Sequence, residues 1–203
     1  MAGATSEQAH WEGVYESQAV TALSWHEDAP TESLRMIEWA GLANDAAILD
    51  VGGGASRLAS ELAELGYEDI TVADLSSHAL SQSPDKREAI RRVCADVRSH
   101  DFGRQFDLWH DRAVFHFMVS SEDQEAYLST LMRTLRSPGH LVIATFGPDG
   151  PERCSGLPVK RYGTDELASR LGGAFSIAST KVVEHITPSG NPQQFLYARL
   201  RRD

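Results

Sequence analysis

Three acidic residues and a run of glycines carry the first chemical signal in this chain. In "ILDVGGGASRLASELAELG", Ile48 to Gly66, an apolar run reaches Asp50, then Gly52, Gly53 and Gly54 follow, and beyond Ser56 and Arg57 a stretch begins with Leu58, Leu62 and Leu65 on one face. Glycines at such a turn let backbone approach a ligand closely, and the helix that follows offers unpaired N–H groups at its start. No further glycine completes the G-x-G-x-x-G of dinucleotide sites, which counts against a pyrophosphate. Asp74 closes the next apolar run, with Leu75 beside it, and Asp96 closes the one after, ahead of Val97. A carboxylate at the end of the second strand accepts hydrogen bonds from paired ribose hydroxyls, and its charge disfavours a 2′-phosphate. Asp96 is placed to receive an adenine amino group, with the Val97 N–H donating to the ring.

The elements that must position these groups alternate. Two helical stretches, "SEQAHWEGVYESQ" and "TESLRMIEWAGL", precede the glycines; the second is capped by Thr31 and turns Leu34, Met36 and Ile37 inward. Then come strand "AAILDVG", a helix stopped by Gly66, strand "DITVADL", a short helix from Ser76 or Ser77 through Leu80, helix "KREAIRR" and strands "RVCAD" and "FDLWHD". Ser121 with Gln124 makes a capping box for a helix whose stripe is Leu128, Leu131, Met132 and Leu135, and Pro138 and Gly139 end it before strand "LVIATF". Residues 147–162 are rich in proline and glycine and read as a lid; Thr164 caps "DELASRLGG", and "FSIASTKVVEHI" and "FLYARLR" close the chain as a hairpin. This order predicts one α/β domain over residues 1–203. It has a helical cover (1–43), a ligand-binding core (44–147), a lid loop (148–163) and a closing helix and hairpin (164–203). The sheet is doubly wound and mostly parallel, with an antiparallel C-terminal hairpin strand, and ligands bind at the carboxyl ends of its strands.

Composition excludes several classes. Lys and Arg total 19 against 29 Asp and Glu, a net charge of −10, so a general nucleic-acid or anionic-membrane surface is not expected. Apolar runs such as "LVIATF" fall far short of the roughly 20 residues that span a bilayer. Cys94 and Cys154 follow a start, "MAGATSEQAH", without the features of a leader, which points to reduced thiols and a cytoplasmic location. The histidines of "HDR" and "FHF" lack the spacing of a metal site, and no metal is expected.

Taken together, "ILDVGGGAS", Asp74 and "ADV" resemble the first motifs of the class I S-adenosylmethionine-dependent methyltransferases. "FDLWHDRAVFHFM" and "LMRTLRSPGHLVIATF" are similar to that family's fourth-strand and fifth-strand segments, so the likeness covers nearly the whole chain; Ser56 stands where members usually carry glycine. The resemblance implies a Rossmann-like seven-stranded sheet and S-adenosylmethionine as cofactor, leaving S-adenosylhomocysteine. It places Asp50, Gly52, Gly53, Gly54, Ser56, Arg57, Asp74, Leu75, Asp96, Val97, Asp111 and Arg112 around that cofactor. The N-terminal segment resembles a branch holding bacterial small-molecule methyltransferases and the citrate synthase lysine methyltransferase. By that likeness Trp11, Tyr15 and Trp25 close over the cofactor, a role that suits aromatic faces because they attract a sulfonium.

In-line methyl transfer asks mainly for alignment and exclusion of water, with a base only for some acceptors. Candidates facing the methyl group are His110, Asp111, Arg112 and His116, the last as general base, with His26 from the cover and Cys154, Lys160, Arg161 and Tyr162 from the lid. His185 and Gln194 are candidates for the cleft rim. The expected acceptor is a small molecule, offering N, O, S or a metalloid. Protein lysine methylation and a non-catalytic S-adenosylmethionine-binding partner protein are the alternatives. The assembly is expected to be a monomer or homodimer, with no nucleic acid or membrane as partner.

Overall fold

The computed structural model describes residues 6–85, 87 and 89–203. Five strands, β1 (Ala47–Val51), β2 (Asp69–Asp74), β3 (Ile90–Cys94), β4 (Phe106–Arg112) and β5 (Leu135–Phe146), pair in parallel. A two-residue hairpin, β6 (Arg153–Cys154) with β7 (Leu157–Pro158), stands apart, and β8 (Phe175–Ile186) and β9 (Pro192–Arg202) complete the main sheet. The order is β3-β2-β1-β4-β5-β9-β8, with β9 antiparallel to both neighbours, so the predicted doubly wound seven-stranded sheet is the observed one.

All five residues of β1 are buried, as a parallel strand covered on both faces requires. Ile48 faces the layer of α2 (Thr31–Glu38) and α3 (Leu58–Glu64), packing with Met36, Ile37, Leu58 and Leu62. Leu49 and Val51 face α5 (Ser121–Thr134) and α6 (Thr164–Leu171) through Tyr127, Leu131, Leu167 and Leu171. The cover helix α1 (Ser6–Ser17) is fastened to the start of α4 (Ser77–Ser81) by one side chain. The Glu12 carboxylate accepts from Ser77 N at 2.8 Å, His78 N at 3.0 Å, Ser76 Oγ at 2.7 Å and Ser77 Oγ at 2.8 Å. Burial works to raise the Glu12 carboxyl, but these bonds outweigh it and hold the group below its usual range.

Local expectations shift in four places. Of "KREAIRR", Lys86 and Glu88 lie outside the described residues, while Ile90 to Arg92 belong to β3, where pairing with β2 overrides helical preference. Pro30 and Gly163 occupy the N-cap positions assigned to Thr31 and Thr164, which are the first helical residues. Ser120, not Ser121, caps α5: its Oγ accepts from Asp123 N at 3.0 Å and donates to Asp123 Oδ2 at 2.8 Å, while Gln124 donates to Met118 O at 2.8 Å. The buried face of α5 accordingly centres on Tyr127 and Leu131 with Thr130 and Thr134, leaving Leu128 and Met132 half-buried, and β5 starts at Leu135, before Pro138. The lid segment also buries Cys154 and Tyr162.

Candidate active site

A cavity of about 210 Å³ opens at the carboxyl ends of β1, β2 and β4, beneath α1 and beside the β6–β7 hairpin. At one end the glycine turn is shaped by what crowds it. Gly52 has φ +69 and donates its N–H to Ala73 O at 2.7 Å, and a Cβ there would lie 2.1 Å from Val114 Cγ2. A Cβ on Gly53 would meet Asp50 Oδ2 at 2.2 Å, and one on Gly54 would meet Asp74 Oδ2 at 2.7 Å. Asp50 is buried; its Oδ1 is 2.7 Å from His110 Nδ1, while Oδ2 has no hydrogen-bond partner among the described residues. Asp74 Oδ1 accepts Ser76 N at 2.8 Å. Burial raises the Asp74 carboxyl to about 7, against the pull of the Ser76 bond and with help from the charges of Asp50 and Glu12. Leu75 and Val97 line the same end.

Asp96 is placed differently from expectation. Arg98 Nε reaches its two oxygens at 2.9 and 3.1 Å and Arg98 Nη2 reaches Oδ2 at 2.6 Å, so the carboxylate is a strut; burial opposes its ionisation, but these bonds prevail and keep it ionised below the usual range. Arg98 also donates to Asp123 Oδ1 at 2.8 Å and to Glu7 of α1, and it is Arg98 that lines the cavity. Ser56 sits on a smaller adjoining cavity, its Oγ accepting Leu58 N at 3.1 Å; Arg57 turns away to pair with Glu61 at 3.4 Å. Trp11, Tyr15 and Trp25 all face the main cavity, with Trp11 edge-on to Trp25 (5.9 Å) and to Phe117 (5.1 Å).

The turn after β4 spends most of its polar residues internally. Asp111 is buried and accepts Val114 N at 2.9 Å, Phe115 N at 3.0 Å and Tyr127 OH at 2.6 Å, so it fixes the turn and does not line the cavity. Burial raises its carboxyl to about 6 against those bonds. His116 is fully buried and its Nδ1 accepts Phe146 N at 3.3 Å. Burial, and secondarily the charge of Arg112, lowers its imidazole to about 3. A neutral ring closed off from the cleft cannot collect an acceptor's proton, which corrects the expectation of a general base. His110 bridges Asp50 and Ser33 Oγ (2.9 Å) beside the smaller cavity, so it too is a positioning residue. Arg112 alone of this group lines the main cavity, where the left-handed turn at Ala113 (φ +71) follows it.

Of the four lid residues named as candidates only Cys154 lines the cavity, and burial raises its thiol, keeping it protonated. Tyr162 is fully buried and stacked on Phe115 at 5.5 Å; Lys160 and Arg161 pair with Glu166 (3.3 Å) and Glu152 (3.2 Å) away from it. His26 pairs with Asp28 at 3.2 Å beside the smaller cavity, His185 meets Ser24 O at 2.8 Å in an outer groove, and Gln194 and Asp149 exchange two bonds of 3.1 Å. Among the described residues there is no cluster able to hold a metal ion, and no helix is long and apolar enough to cross a membrane.

Residues 49–143 match a family model described as "Methyltransferase domain". EEF1A lysine methyltransferase 2 of Homo sapiens is 27% identical over 155 residues, covering 67% of this chain and 66% of that protein, so the match spans about two thirds of the relative's length. The fold is shared with a structure described as "Conversion of a Disulfide Bond into a Thioacetal Group during Echinomycin Biosynthesis" (TM-score 0.78, 24% identity, 97% of this chain and 93% of that one). It is shared also with Burkholderia thailandensis 1,6-didemethyltoxoflavin-N1-methyltransferase bound to 1,6-didemethyltoxoflavin and S-adenosylhomocysteine (TM-score 0.71, 20% identity, 100% and 91% coverage). The matched domain, just under half of the chain, and the shared fold support an S-adenosylmethionine-dependent methyltransferase.

The sequence did not single out several residues of this methyltransferase's cleft. Phe117, Phe146 and Phe195 wall the end opposite Asp74, with Leu157 and Pro158 of β7. Phe117 carried a usable signal: in "FHF" a single helical turn at Phe115–Phe117 sends one aromatic outward and His116 inward. Glu12 carried none, since its partners stand more than 60 residues away.

Proposed function

We propose that this methyltransferase transfers a methyl group from S-adenosylmethionine to a small-molecule acceptor. The residues fit the cofactor. Asp74 Oδ2 would accept from the ribose hydroxyls, the turn at Gly52–Gly54 would leave room for the methionine part, and Leu75 and Val97 would hold the adenine. The cofactor, when bound, would supply a methyl group already activated by its sulfonium. The chain supplies alignment and dryness: Trp11, Tyr15 and Trp25 line the site with aromatic faces that suit a cation.

The observation that carries the small-molecule reading is this cover. The acceptor end would lie between the α1 aromatics and the β6–β7 hairpin, in a chamber partly covered by both. The relative's name favours a second reading, methylation of a protein lysine. Incubation with methyl-labelled S-adenosylmethionine and fractionated lysate decides between them. Label in the low-molecular-weight fraction supports the proposal, and label in protein alone overturns it in favour of the second.

A further inference from the structure

We infer that the acceptor is a flat aromatic or heteroaromatic molecule bearing an oxygen (carbonyl, phenol or carboxylate), and that Arg112 is the residue that selects it; this rests on the methyl-transfer reading above. Arg112 is held from three segments at once. Its Nε donates to Tyr197 OH at 2.9 Å, Nη1 to Trp25 O at 2.9 Å, and Nη2 pairs with Glu27 Oε1 at 3.0 Å, while the guanidinium lies 4.8 Å over the Phe195 ring. A guanidinium has five N–H groups, and Nη2 makes no hydrogen bond among the described residues, so the outer nitrogens keep N–H groups unspent beside the cavity that Arg112 lines.

Behind it lies a buried polar cluster. Ser33 Oγ lies 2.9 Å from His110 Nε2, and His110 Nδ1 lies 2.7 Å from Asp50 Oδ1. Both ring nitrogens of His110 are taken by these partners, so this residue offers neither to the acceptor.

The surroundings set the acceptor's class. Trp25, Phe117, Phe146 and Phe195 present rings to the chamber, which suits a flat molecule packed face or edge against them. The carboxylates on the wall are Glu7, Asp74 and Asp123, all at the opposite end, with Glu7 and Asp123 already bound to Arg98. An ammonium arriving at the acceptor end therefore meets a guanidinium, whereas an oxygen finds N–H groups not yet spent.

The test uses the full chain saturated with S-adenosylhomocysteine, reading quenching of tryptophan fluorescence by 2-naphthol, 2-naphthoate and 1-naphthylmethylammonium. The oxygen-bearing rings are expected to bind at least tenfold more tightly than the ammonium, with Arg112→Gln erasing that preference and Arg112→Lys keeping part of it. Glu27→Gln, which leaves the guanidinium uncompensated, should tighten naphthoate binding several-fold and tests the idea should the arginine variants not fold. Equal or tighter binding of the ammonium, a preference that survives Arg112→Gln, or no binding of either oxygen-bearing ring overturns the inference alone. Failure to bind S-adenosylhomocysteine by calorimetry overturns the methyl-transfer reading and this inference with it.

Discussion

The turns after β1 and β4 sit side by side at the same edge of the sheet, yet they are built on opposite plans. After β1, side chains are absent: Gly52 and Gly53 stand where a Cβ would strike Val114 or Asp50, and the carboxylates nearby keep an oxygen free. After β4, side chains abound and are nearly all used inside the protein. Asp111 ties its own turn to Tyr127, His116 holds the backbone of Phe146, His110 holds Asp50, and of these four polar residues Arg112 alone faces the chamber. A wall made of bare backbone announces itself through glycine. A wall of aromatic side chains drawn from distant segments does not.

Perturbations should separate the two turns, the largest on the β1 side. Gly52→Ala forces a side chain into a left-handed backbone and into Val114, so stability should fall by on the order of 3 kcal/mol. Affinity for S-adenosylhomocysteine should drop more than about 100-fold. Urea unfolding and calorimetry read both, and retained affinity would show that the turn does not receive the cofactor. Asp74→Asn should cost roughly 10- to 100-fold in the same affinity. Because burial holds the free Asp74 carboxyl at about 7 and the ribose hydroxyls donate to its ionised form, wild-type affinity should fall as pH drops below 7. Binding near pH 7 should then release protons, seen as a buffer-dependent enthalpy that the asparagine variant lacks.

On the β4 side, His116→Asn should leave that affinity within about twofold while lowering stability by about 1–3 kcal/mol. The sign of its pH effect follows from an imidazole lowered to about 3 in the folded protein against 6.5 unfolded. Below pH 6.5 the unfolded chain takes up a proton that the folded one refuses, so stability is lost as pH falls from 6.5 toward 3. The variant should lose less over that window. A collapse of turnover with retained stability would instead make His116 a base and erase the contrast between the turns. The smallest effect belongs to Glu7→Gln, which loosens α1 from Arg98. Release of S-adenosylhomocysteine should quicken by about threefold in stopped flow, and less so in high salt.

The fold was legible because β1, β2 and β5 are continuous apolar runs punctuated by glycine, acid or proline, a pattern that local sequence records. The clustering of Gly52, Asp74 and Val97 was legible too, since all three line one cavity. Asp96 misled because Arg98, two residues on, satisfies it, and His116 because a polar residue between two phenylalanines looks the same whether it faces a cleft or a backbone N–H. Caps slipped by one residue at Thr31, Ser121 and Thr164 because adjacent residues compete for the position, a choice settled by packing.

The three-way fastening of Arg112 also bears on how such a protein can diverge. Leu157 and Pro158 belong to a two-residue hairpin paired only with itself, so changes there alter the chamber without loosening the sheet. A change at Arg112 would at once release β9, the Trp25 segment and Glu27. The hairpin is therefore the part of the chamber wall that can change at least cost to the sheet, whereas any change at Arg112 is felt in three segments together.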